Sequence, residues 1–182
     1  FEMDRTELLG FDQKVLASII NNGICLNDVR TLILVHDKRT LAVLFNKDIM
    51  KDYITETEYN QVVKYLIPTF SCDNPDVREM ILNSSDNWIF KKNSGGRGLD
   101  MYVKNSMRTD DLKEFLDNHY SEYMVQKFVD QESSSLQKKM HLVGILLFYN
   151  DHSFGSGLYR GGSNNVINSN HKGVRLYPNV YR

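Results

Sequence analysis

The stretch Trp88-Ile89-Phe90-Lys91-Lys92-Asn93-Ser94-Gly95-Gly96-Arg97-Gly98-Leu99-Asp100-Met101-Tyr102-Val103 constrains the fold more than any other part of the chain. Two apolar runs of β type flank a loop in which three of four consecutive positions are glycine. Glycine lacks Cβ, so it takes positive φ at little cost and lets backbone N–H groups approach an anion closely. Side chains alternate along an extended segment. Trp88, Phe90 and Lys92 therefore share one face, and Ile89 and Lys91 share the other. One lysine can meet a ligand while its neighbour points elsewhere. A plain β-hairpin fits the same glycines. The two lysines that close the first run favour a phosphate cradle.

Downstream, Tyr123-Met124-Val125-Gln126-Lys127-Phe128-Val129 reads as a strand with an internal amide and an internal lysine. An amide buried without a partner costs about 1–3 kcal/mol, so Gln126 needs a neighbour or a ligand. Leu142–Tyr149 and Gly155–Arg160 follow as β segments, and then Asn164-Asn165-Val166-Ile167-Asn168-Ser169-Asn170. Taken in this order, the segments between residues 86 and 172 resemble the ATP-grasp superfamily. The likeness is nearest to its circularly permuted ligases, with tubulin-tyrosine-ligase-like enzymes second. Val35–Leu44 and Leu66-Ile67-Pro68-Thr69 are similar to the region that precedes the phosphate loop in the permuted ligases.

The resemblance implies a set of roles. Lys91 would contact the α- or β-phosphate of ATP, and Gly95, Gly96, Arg97 and Gly98 would form the phosphate loop. Gln126, Lys127 and Phe128 would lie on the hinge strand beside adenine, Gln126 reading the base. Arg160 would act catalytically, on the transferred phosphate or a substrate carboxylate; its planar fork suits bidentate anion recognition. Asn168 and Asn170, alternating to one face of a strand, would ligate Mg²⁺ through amide oxygens. The chain departs from the family at three points. Lys92, not proline, follows Lys91, Asn168 stands where the family carries a carboxylate, and in place of the charged or polar residue of the family's long strand only His141 stands near its start.

Composition bounds the alternatives. The 182 residues can bury a core, as one domain or as two lobes. We expect an N-terminal, mainly helical lobe over 1–85 and a nucleotide-binding region over 86–182. Net charge is −1 and the pI is about 6.6, so nothing in the charge balance favours nucleic acid as partner. The longest apolar run, Leu142–Tyr149, is far short of the ~18 residues that span a bilayer. No signal peptide stands at Phe1, and the missing initiator Met suggests excision from a longer protein. Cys25 and Cys72 form neither a disulfide framework nor a metal spacing; buried thiols in a reducing cytoplasm fit them best.

Local signals place the remaining elements. Asp12 caps a helix with Val15, Leu16, Ile19 and Ile20 on its apolar face and Gly23 as its stop. Leu32–Val35 suits a buried strand, whereas Thr40–Phe45 fits strand or helix. Thr55-Glu56-Thr57-Glu58 is a capping box ahead of the stripe Tyr59, Val62, Val63 and Leu66, which Pro68 ends. Asn74-Pro75 opens another helix, and Thr109 caps a third bearing Leu112, Phe115, Leu116 and His119. The Ser-rich stretch 131–139 reads as a mobile loop. The expected fold class is α+β: an ATP-grasp-type, mostly antiparallel sheet with flanking helices and a small N-terminal helical lobe.

His36-Asp37-Lys38-Arg39 makes a polar cluster that reads as a solvated face or as a seat for a substrate carboxylate. The expected function is ATP binding within a carboxylate–amine ligase that works through an acyl phosphate. Its small substrates would be a carboxylate and an amine. The alternatives are a nucleotide-binding fragment without catalysis and an interaction domain that needs no ATP.

Overall fold

Strand β2 (Trp88–Lys92) runs through the middle of an antiparallel sheet because both of its faces are apolar at its start. The computed structural model describes residues 9–22, 34, 36–95, 98, 100–130, 140–149, 152–164, 166–168 and 172–178. Around β2 stand β1 (Thr69–Ser71), β3 (Met101–Val103) and β4 (Tyr123–Lys127), in the order β1-β4-β2-β3. Ile89 lies opposite Gln126 and Val103, Phe90 opposite Val125 and Tyr102, and Lys91 opposite Met124 and Met101. Thr69 lies opposite Gln126. Residues 88–92 and 101–103 are thus the antiparallel neighbours that the glycine loop suggested, with 123–127 as the third strand.

Period-two alternation sorts this sheet into two chemically different faces. Trp88, Phe90, Tyr123 and Val125 are buried against Ile81 of α5 (Pro75–Asn83) and against Leu112 and Leu116 of α6 (Thr109–His119). Phe115 stacks edge-on to Phe90 and Tyr123, with ring centroids 5.1 and 4.9 Å apart. The other face carries Thr69, Ile89, Lys91, Met124 and Gln126.

Several local signals act as expected. Asp12 Oδ1 accepts the Lys14 N–H at 2.8 Å, at the start of α1 (Gln13–Asn22). Helix α2 (Arg39–Val43) resolves the ambiguity at 40–45, and α3 (Lys47–Met50) follows. The capping box at Thr55 and Glu58 has both of its bonds, at the head of α4 (Glu56–Val62). Asn74 caps α5, with Pro75 in its first turn.

Other expectations need correction. Arg108, not Thr109, is the N-cap of α6; Thr109 is already helical, and Arg108 pairs with Asp111 at 2.8 and 3.0 Å. Leu34 is helical and exposed rather than part of a buried strand, and residues 32, 33 and 35 lie outside the described residues. Ile167-Asn168 is not in a strand: an Asn-rich stretch after Gly161-Gly162 forms bends. Gly23 and the stretch 131–139 also lie outside the described residues.

The chain forms two compact units, Phe1–Phe128 and Val129–Arg182, a division different from the expected 1–85 and 86–182. The reason lies in β1 and α5, which precede residue 86 yet complete the first sheet and its core. In the second unit, β5 (His141–Tyr149), β6 (His152–Gly162) and β7 (Arg175–Pro178) form an antiparallel sheet in that order. A Cβ at Gly161 would lie 2.7 Å from the Tyr177 ring, so only glycine lets that ring cross β6. With antiparallel pairing in both sheets and helices on one of them, the fold is α+β. No helix among the described residues is long and apolar enough to cross a membrane.

Leu116 is almost fully buried beneath the sheet, and Val62 is about half exposed. Leu116→Ala is expected to lower unfolding free energy by about 2–5 kcal/mol. Val62→Ala is expected to change it by less than about 0.5–1 kcal/mol. Urea denaturation of the three proteins checks both.

Candidate functional site

The end of β2 decides which lysine is available. Lys92 lies on the helix-covered face, where its Nζ stands 3.9 Å from Asp100 Oδ2 and 3.8 Å from Glu122 Oε2. Its charge is balanced by two carboxylates. Lys91, half-buried on the opposite face, donates to the side-chain oxygen of Gln126. Gln126 Nε2 donates to Thr69 Oγ1 at 2.9 Å, and Thr69 Oγ1 donates to the Ile67 carbonyl at 2.8 Å. Because the buried hydroxyl gives its hydrogen to Ile67, its oxygen is left to accept. That fixes the orientation of the Gln126 amide, with the oxygen toward Lys91.

A second ammonium joins the first. Lys38, just ahead of α2, donates from Nζ to the carbonyls of Lys92 at 3.0 Å and Gly95 at 2.6 Å. Its backbone N–H donates to the Asn93 carbonyl at 2.8 Å. One residue thus ties the start of the glycine loop to the segment before α2. In that loop Gly95 has φ +107° and Gly98 has φ +68°. A Cβ at Gly95 would touch nothing within 4 Å, so glycine serves the backbone angle there rather than space.

The electrostatics follow from burial. Desolvation is the main cause that pushes the Lys91 ammonium below the usual lysine range, and the Lys38 charge adds to it. Burial also pushes Lys38 down, partly offset by Asp37. Asp37 itself is forked by Arg39 at 2.9 and 2.5 Å. Among the described residues the hydrogen-bond partners of both ammoniums are neutral: an amide oxygen for Lys91, backbone carbonyls for Lys38. Two half-buried cations on neutral partners form a seat that an anion would complete.

The other sequence-selected residues are placed differently. Gln126 is in contact with Lys91 instead of lying apart from it, because adjacent strands in this register make them diagonal neighbours on one face. Lys127 points away from that face; its ammonium meets Asp86 Oδ2 at 3.0 Å. The backbone N–H groups of Lys127 and Phe128 donate to the carbonyls of Pro68 and Asn87. Arg160, half-buried in β6, sits between Val143 and Leu176 in the second unit. Asn168 is buried in the same unit. Gly96, Arg97 and Asn170 lie outside the described residues.

Among the described residues, no three His, Cys, Asp or Glu side chains are grouped to hold a metal ion. The described chain therefore supplies no carboxylate cage for Mg²⁺, and no step is assigned to that ion. Cys72 is buried, and burial pushes its thiol up to about 12, which leaves it unreactive. No protein-family model matches the chain, and no curated protein matches it.

Lys38 is the site residue that the sequence reading did not single out. The signal available was the polar run His36–Arg39 after an apolar stretch. Nothing local shows that its ammonium reaches carbonyls 54 and 57 residues away.

A depressed lysine pKa has a definite consequence for stability. Between the depressed value and the ordinary 10.5, the unfolded chain binds more protons than the folded one, so stability climbs with pH in that window. Lys38→Gln removes one such cation and its repulsion of Lys91, so its climb is expected to be shallower. Denaturation curves for both proteins from about pH 7 to about pH 10 check this. The difference between the two cancels the groups that they share.

Proposed function

We propose that this chain is the nucleotide-binding part of an ATP-grasp-type carboxylate–amine ligase, working in the cytoplasm. The observation that carries the reading is the pair Lys38 and Lys91, half-buried on neutral partners beside a glycine loop. Such a pair neutralises phosphate oxygens without any acid to release first. Glycine-rich backbone next to fixed cations is a common way to bind the polyphosphate of a nucleotide.

In this reading Lys91 and Lys38 hold the phosphates of ATP, supplied as its magnesium complex. Gln126 and Thr69 hold Lys91 in place. A substrate carboxylate oxygen attacks the terminal phosphorus, ADP leaves, and an acyl phosphate results. An amine then attacks the acyl carbon and expels inorganic phosphate. The protein's contribution is positioning and charge stabilisation. Nucleotide binding without ligation is the second reading, favoured by the amide at 168 where the family carries a carboxylate.

Calorimetric titration with ATP, ADP and adenosine tests the nucleotide step. Lys91→Ala is expected to weaken ATP and ADP by about 1.5–3 kcal/mol, the range for charge-assisted hydrogen bonds, and adenosine far less. Wild-type protein that binds none of the three with Mg²⁺ present overturns the proposal. ADP release that needs both a carboxylate and an amine pool separates the ligase from the second reading.

A further inference from the structure

The Lys38–Lys91 seat brings together an anion-holding cation and an amine that can react. Lys38 uses two of its ammonium hydrogens on the carbonyls of Lys92 and Gly95, which among the described residues leaves the third available to an incoming anion. Among the described residues Lys91 has a single hydrogen-bond partner, the Gln126 oxygen, and that partner is an acceptor. A neutral Lys91 amine can donate one N–H to it and direct its lone pair elsewhere. The Ile67–Thr69–Gln126 chain prevents the amide from turning its N–H groups toward that lone pair. We propose that Lys91 is an acylation site for small acyl phosphates, whose phosphate group Lys38 holds while the Lys91 amine attacks the acyl carbon.

The step balances. The Lys91 ammonium first gives a proton to solvent. The amine nitrogen then bonds to the acyl carbon, and the bond from that carbon to the phosphate oxygen breaks. Inorganic phosphate leaves with one of the two remaining amine hydrogens, and the other stays on the amide. The electrophile, an acyl phosphate, supplies the activation, so no oxidant or further reactant is needed. Burial and the Lys38 charge both favour the free amine at Lys91, which raises the fraction able to attack. Acylation would erase one of the two charges of the seat and so weaken its hold on phosphate.

The inference rests on the phosphate-binding reading of this seat. Wild-type protein is incubated with acetyl phosphate near neutral pH, and acetyl occupancy is followed by peptide mass spectrometry. Exposed Lys14 and Lys64 serve as internal references. Lys91 is expected to react several-fold faster than either, because burial and the Lys38 charge leave more of it as free amine. Inorganic phosphate should slow Lys91 and leave the references unchanged. Lys38→Gln should lower the Lys91 rate and remove its slowing by phosphate, and Lys38→Arg, which keeps the charge, should do neither. Equal rates at the three lysines, or no slowing by phosphate, overturn the proposal without any variant having to fold. Fast, phosphate-sensitive acetylation in a protein that does not bind ATP would leave this site standing and remove the ligase reading. ATP binding without preferential acetylation would do the reverse.

Discussion

The pairing of β2 with β4 is the constraint on which the rest depends. Phe90 opposite Val125 fixes the register, and the period of two does the remainder. A slip of one residue would carry Lys91 into the aromatic core under α5 and α6 and expose Phe90 on the other face. The cost of burying an uncompensated ammonium there, with the loss of Phe90 burial, is far larger than any single hydrogen bond in the sheet. Hydrophobic packing on one face thereby places a cation on the other.

That placement works against stability and toward binding. A half-buried ammonium whose partner among the described residues is a neutral amide is poorly compensated, and Lys38 makes the local field more positive. An anion placed beside the two ammoniums would supply the missing charge. Neighbouring Lys92, which meets two carboxylates, shows what a balanced lysine looks like in the same strand. The contrast between consecutive residues, one neutralised and one not, comes from alternation alone.

How far the sequence revealed this depends on the range of the signal. The capping box at Thr55–Glu58 and the Asn74-Pro75 start act within a few residues, and the local pattern shows both. The two faces of β2 also follow from a local pattern. Lys38 does not, because its contacts join segments 54 and 57 residues apart. Nor does the boundary between the two units. A three-residue strand such as Thr69–Ser71 carries too few alternating positions to be read, yet it supplies the sheet edge and the buried hydroxyl behind Gln126. Arg108 as a cap was hidden because threonine is the stronger capping residue and stands next to it. Asparagines at 168 and 170 suited a strand face by spacing, but the first of them lies outside any strand.

The central claim is that Lys38 and Lys91 form one seat whose charge an anion completes. Titration of their side-chain ammonium signals by NMR, with and without inorganic phosphate, tests it directly. Both lysines should titrate below the exposed lysines in the absence of the anion, since burial disfavours their charged form. Both should move upward when phosphate is added, since an anion favours that form. Titration together with the exposed lysines, unchanged by phosphate, would contradict the account.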